Sequence, residues 1–199
     1  MKKYYKIIFL SLLTIIIFSN QGCDILNNFF LNLPLKQGIT ATGNNTTIFN
    51  SKTVHLSDYD AYADNIDNIK NIKYLAALYR TLPRGENPFP PPDSLNLTSG
   101  LVGEDIIVKV QDGDGNTVFT RNLPSAAADD YLTTPYKVEL TTEEIAQMND
   151  YLANYKDPVK RELLSFTGTV TMSNITAGGG PPYTLTGQVE ILLELEIEP

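Results

Sequence analysis

Apolar and polar residues alternate along much of the chain, most cleanly near its C-terminus. There Val189, Ile191, Leu193, Leu195 and Ile197 share one phase, while Gln188, Glu190, Glu194, Glu196 and Glu198 share the other. Successive side chains of a strand point to opposite faces, so this pattern predicts a strand with one buried face and one wet face. Leu192 is the one apolar side chain in the glutamate phase. Residues 163–172 are β-branched and alternate in the same way, and Gly178-Gly179-Gly180-Pro181-Pro182 after them demands a turn. Residues 105–110 and 117–123 flank Asp112-Gly113-Asp114-Gly115-Asn116, whose residue types suit a tight hairpin connection. After the turn signal Gly43-Asn44-Asn45, residues 46–56 are rich in Thr, Val and Ile and read as one or two strands.

Residues 72–79 fit two periods. Ile72, Tyr74, Ala76 and Leu78 alternate as on a strand, and Ile72, Leu75, Ala76 and Tyr79 also fit a helix. Asn68 and Asn71 interrupt the helical reading, which favours the strand. A helix is expected before them, capped by Ser57, with Asp58, Asp60 and Asp64 near its positive N-terminal end and an apolar stripe of Tyr59, Tyr62, Ile66 and Ile69. A second helix is signalled by the capping box from Thr141 to Glu144, by Ile145, Met148, Leu152 and Tyr155 on one face, and by the stop Asp157-Pro158. Pro83, Pro88, Pro90, Pro91 and Pro92 predict an extended surface loop. About seven or eight strands with hairpin-type connections and two short helices imply a mainly β chain, an antiparallel β-sandwich of roughly immunoglobulin size.

The first residues break this pattern. Lys2, Lys3 and Lys6 precede a nearly unbroken apolar run from Ile7 to Phe18, which ends in Ser19-Asn20-Gln21-Gly22-Cys23. A basic start and an apolar run shorter than the ~20 residues of a membrane-spanning helix are the marks of a secretory signal. Gly22-Cys23 resembles the lipobox of small exported bacterial lipoproteins, in which a small residue precedes the cysteine that is acylated and becomes the new N-terminus. Asn20 stands where that family usually has Leu, and Gln21 where it usually has a small residue. The resemblance implies a signal peptide at 1–22, an acylated Cys23 opening a tether over 23–38, and a single β-rich domain over 39–199. Asp24 resembles the inner-membrane retention signal of enteric lipoproteins, a rule that does not carry across bacterial phyla, so either envelope membrane fits. Within the tether Phe29, Phe30, Leu31, Leu33 and Leu35 can dock on the core as an edge segment, and Pro34 excludes a central strand.

Composition narrows the chemistry. With 42% hydrophobic and 19% charged residues the chain can bury a core. Its formal charge of −8 becomes more negative still when Lys2, Lys3 and Lys6 leave with the signal, which argues against nucleic acid and against a basic membrane-binding surface. Cys23 is the only cysteine and His55 the only histidine, so the chain can form no internal disulfide and no thiolate metal cluster, and most zinc, haem and Ser-His-Asp constellations are removed.

Few motifs remain. Asp112, Asp114 and Asn116 are the candidate metal ligands, because D-x-D-x-N spaces oxygens as calcium loops do. Thr117 and Leu123 stand where an EF-hand needs glycine and a bidentate glutamate, so a plain turn is preferred. Asp58, Asp60, Asp64 and Asp67, and the row Glu190, Glu194, Glu196 and Glu198, read as solvated faces before they read as acid–base pairs. His55 reads as a surface histidine, and the eleven tyrosines as the amphipathic margin of a core. The expectation is a membrane-anchored envelope lipoprotein, a non-enzymatic binding or structural module without a cofactor, whose partners are the membrane, through Cys23, and an envelope protein. A carrier of an apolar ligand and an envelope hydrolase are the alternatives.

Overall fold

Strand pairing in the computed structural model, which describes residues 28–82, 100–178 and 180–198, follows most of the alternation. The strands are β1 (Phe29–Gly43), β2 (Ile48–His55), β3 (Ile69–Thr81), β4 (Asp105–Asp112), β5 (Thr117–Asn122), β6 (Tyr136–Val138), β7 (Ser165–Ser173) and β8 (Tyr183–Ile197). Two helices accompany them, α1 (Asp60–Ala63) and α2 (Thr142–Leu152). The protein is an antiparallel β-sandwich of two four-stranded sheets, ordered β1-β8-β3-β6 and β2-β7-β4-β5. This order is that of a jelly roll, in which the chain passes back and forth between the sheets in two Greek keys. The resemblance to immunoglobulin domains is thus one of size and layering, not of winding. The expected signal peptide and proline-rich loop, and Cys23, lie outside the described residues.

The core forms where the inward phases of both sheets meet. Leu33, Leu35, Val189, Ile191, Leu193 and Leu195 from one sheet, and Ile106, Val108, Val110, Phe166, Val170 and Met172 from the other, are buried. The outward phase of the second sheet is hydroxylated instead. Thr53 faces Thr167 with their hydroxyls 2.7 Å apart, and Ser51 and Phe49 stand opposite Thr169 and Thr171. Polar residues at most of these positions keep that face solvated.

Four local expectations are corrected. Pairing of β1 with β8 begins at Phe29, so residues 29–38 of the expected tether are part of the sheet. β1 is an edge strand, which is where Pro34, lacking an N–H, can be placed without breaking a second ladder. The helix expected after Ser57 is a 3-10 turn over Leu56–Asp58 followed by the single turn α1. The Asp58 carboxylate accepts from the backbone N–H of His55, and the Asn65 amide bonds the carbonyl of Ala61, so local polar groups end the helix before Ile66.

In β3 the alternation changes phase. Ile72 is buried, but after an irregularity between Tyr74 and Ala76 the buried positions are Ala77, Tyr79 and Thr81, not Ala76 and Leu78. An extra residue at a bulge moves every later side chain to the other face. In β8 the wet face begins only at Glu190, because Thr184, Thr186 and Gln188 of the same phase are buried.

Helix α2 forms as expected. The Thr141 hydroxyl accepts from the N–H of Glu144 at 3.2 Å, and the Glu144 carboxylate accepts from the N–H of Thr141 at 2.8 Å. The same carboxylate pairs with the Arg121 guanidinium, which holds it below the usual carboxylate range and fastens the helix to β5. Met148 and Leu152 then enter the core.

Candidate functional site

One end of the sandwich gathers most of the residues with chemical potential. The β4–β5 hairpin arrives there beside the C-terminal turn of α2, a 3-10 turn over Ala153–Lys156 and another over Lys160–Leu163. Between them lies a cavity of about 170 Å³ lined by Gly113, Asp114, Tyr151, Asn154, Lys160 and Leu164, among others.

Tyr151 is the centre of this arrangement. Its hydroxyl accepts from the N–H groups of Gly113 and Ser165, at 3.1 and 2.9 Å, and donates to the Ser165 carbonyl at 3.1 Å. A phenol has one proton and two lone pairs, so this group is fully committed to the backbone and has nothing left for a substrate. Burial raises its pKa, against the lowering effect of the backbone donors. Gly113 is required beside it, since a Cβ there would strike the Tyr151 hydroxyl and come within 2.7 Å of the Ser165 hydroxyl. Tyr151 was not anticipated on the apolar stripe of α2, although Met148, Tyr151, Leu152 and Tyr155 are spaced i, i+3, i+4, i+7.

Other tyrosines act in the same manner. The Tyr62 hydroxyl donates to the carbonyl of Arg161 at 2.8 Å, Tyr131 to Ser125 at 2.9 Å, and Tyr155 to Lys70. Tyr59 accepts from the N–H of Lys36 at 2.9 Å. Burial pushes the pKa of Tyr59 and of Tyr62 up to about 12. Each ring packs against the core and each hydroxyl bonds a backbone group of a strand or a connection.

The candidate metal ligands are placed in the hairpin. Asp112 is only 3% exposed, and its Oδ1 accepts from the N–H groups of Asp114 and Asn116 at 3.0 and 2.9 Å. Its Oδ2 takes the Asn116 amide at 3.1 Å. Gly115, at φ +85°, turns the chain where other residues would be strained. The carboxylate that would have ligated a cation thus closes the turn. Among the described residues no three His, Cys, Asp or Glu side chains are grouped to hold a metal ion. Calcium should therefore leave the melting temperature unchanged, and Asp112→Ala should lower it by removing the turn's acceptor. A calcium-dependent rise above about 5 °C that vanishes in Asp114→Ala would overturn this assignment.

The acidic rows are dispersed. Glu194 lies 3.9 Å from Lys73, Glu198 2.9 Å from Lys70, and Glu196 accepts from the Asn28 amide at 2.8 Å. Asp67 binds Arg161 at 2.6 Å, while Asp58 is occupied at the N–H of His55. His55 is exposed at the end of β2.

No protein-family model matches the chain, and no curated protein does. Among solved structures, a chain of Desmodium yellow mottle tymovirus is similar over 86% of this chain and 89% of that one, at 10% sequence identity and a TM-score of 0.37. A likeness at that score carries no argument about activity or partners.

Proposed function

We propose that this protein is a bacterial envelope lipoprotein, exported by residues 1–22, acylated at Cys23, and used as a non-enzymatic binding or assembly module. The observation that carries the reading is a basic start followed by an apolar run that ends in Gly22-Cys23, the sole cysteine of the chain. An unpaired thiol directly after such a run has its most economical use as an acylation site. Acyl chains also supply what this acidic chain lacks, a means of holding a membrane that does not depend on basic residues.

The arrangement of polar groups at the hairpin end supports a module over an enzyme, since Tyr151 and Asp112 are spent on backbone hydrogen bonds. The apolar-carrier alternative calls for a deep apolar cavity, and the cavity beside Tyr151 is small and bears Asp114 and Lys160 on its walls. A hydrolase calls for two carboxylates converging on a cleft, whereas Glu194, Glu196 and Glu198 have separate partners along one strand.

Metabolic labelling with a fatty-acid analogue tests the proposal. The wild-type chain should take up label and fractionate with membranes, and Cys23→Ala should lose the label and either leave the membrane or persist as an uncleaved precursor. Label retained in Cys23→Ala would refute it.

A further inference from the structure

The first described residue, Asn28, stands five positions after Cys23, and Phe29 is already paired with Ile197. An extended chain covers at most about 3.3–3.6 Å per residue, so the start of β1 lies within roughly 20 Å of an acylated Cys23. Whichever structures share that end of the sandwich are held close to the lipid surface.

The 157–163 turn shares it. Ile197 pairs with Ile69 as well as with Phe29. The next residue, Lys70, accepts the Tyr155 hydroxyl at its carbonyl and bonds the Asn28 amide oxygen through its ammonium at 3.2 Å. Arg161 reaches back to Asp67, just before β3. Of the large apolar side chains exposed among the described residues, four are at this end: Phe29 at 43%, Phe30 at 58%, Val159 at 71% and Leu163 at 64%.

The turn that presents Val159 and Leu163 is fixed. Asp157 Oδ1 accepts from the N–H groups of Val159 and Lys160, Tyr62 holds the Arg161 carbonyl, and Leu56 N–H bonds the Leu164 carbonyl at 2.9 Å. Exposed apolar side chains on an ordered turn cost little further entropy to bury. Lys156, Lys160 and Arg161 are set among Asp157, Glu162 and Asp67, and the exposed Asp58, Asp60 and Asp64 on the neighbouring turns, with Asp114 across the cavity, leave this end acidic. Such a surface suits the headgroup–acyl boundary of an electroneutral bilayer and gives anionic lipid no advantage.

We infer that this end of the sandwich rests on the bilayer with Val159 and Leu163 in the lipid interface, an orientation that builds on the acylation of Cys23 and fixes which surfaces remain free for a partner. Phe49, near the start of β2, then lies at the far end of the sandwich from the anchor.

Because acylation consumes Cys23, one introduced cysteine can carry an environment-sensitive fluorophore. Full-length acylated Val159→Cys and Leu163→Cys proteins, labelled and reconstituted in phosphatidylcholine vesicles containing a lipid-borne quencher, should be quenched several-fold more than Phe49→Cys, with no dependence on salt. Vesicle-bound protein whose positions 159 and 163 are quenched no more than position 49 would overturn the orientation and leave acylation standing. Protein without acyl mass that fails to float with vesicles would overturn the acylation reading, and the orientation with it.

Discussion

Leu193→Ala should destabilise the sandwich by about 2–5 kcal/mol in denaturant unfolding, the usual range for truncating a fully buried leucine. β8 runs between β1 and β3, and Leu193 points inward beside Leu33 and Tyr74, its register partners. Truncation leaves a void in the middle of the sheet, where neighbours on both sides are held by ladder hydrogen bonds and cannot collapse into it. Glu194→Ala, one residue on, should cost about half a kcal/mol or less, because its contact with Lys73 is long and partly solvated. Leu192→Ala should fall between them, since Leu192 is half-buried on the outer face beside Pro34 and Ala76. Equal losses at 193 and 194 would show that the two faces of β8 are not distinguished in solution.

Gly168→Ala should cost about 1–3 kcal/mol, the range for overfilling a packed interior. Strand propensity alone predicts the opposite sign, because glycine weakens a strand interior. The reason lies across the sandwich. Gln37 is fully buried on β1, its amide nitrogen donates to the Phe166 carbonyl at 3.0 Å, and its Oε1 has no partner among the described residues. A Cβ at position 168 would collide with that Oε1 and come within 3.3 Å of Ile39. The gap left by glycine is what admits the amide. Gln37→Ala should therefore relieve the added methyl, and the double variant should lose less stability than the sum of the two single ones by about 0.5–3 kcal/mol. Additive losses in thermal or chemical melts would place the origin of the Gly168→Ala effect elsewhere.

The candidate site was only partly legible. The hairpin at Asp112–Asn116 was, because a turn is made by residues that touch one another in sequence, and the role of Asp112 as its acceptor follows from the same short range. Tyr151 was not, because its partners Gly113, in the β4–β5 turn, and Ser165, at the start of β7, are distant in sequence and nothing near position 151 reveals them. Arg121 is a similar case. Its pairing with Glu144 joins a strand to a helix cap that the sequence showed only as complete in itself.

The same division runs through the fold. The sequence by itself determined the periods: the alternation of β8, the capping box of α2, and the turns at Gly43-Asn44-Asn45 and Asp112-Gly113-Asp114-Gly115-Asn116. Each depends on neighbours within a few residues, whose chemistry is written beside them. Tertiary structure alone decided that β1 and β8 pair from Phe29 onward, that the strands wind as a jelly roll, and that β3 changes phase near Leu75. It also decided that Thr184, Thr186 and Gln188 are covered although their phase reads as wet. Those outcomes depend on which distant surface meets each strand, and alternation states that one face of a strand must be covered without naming what covers it.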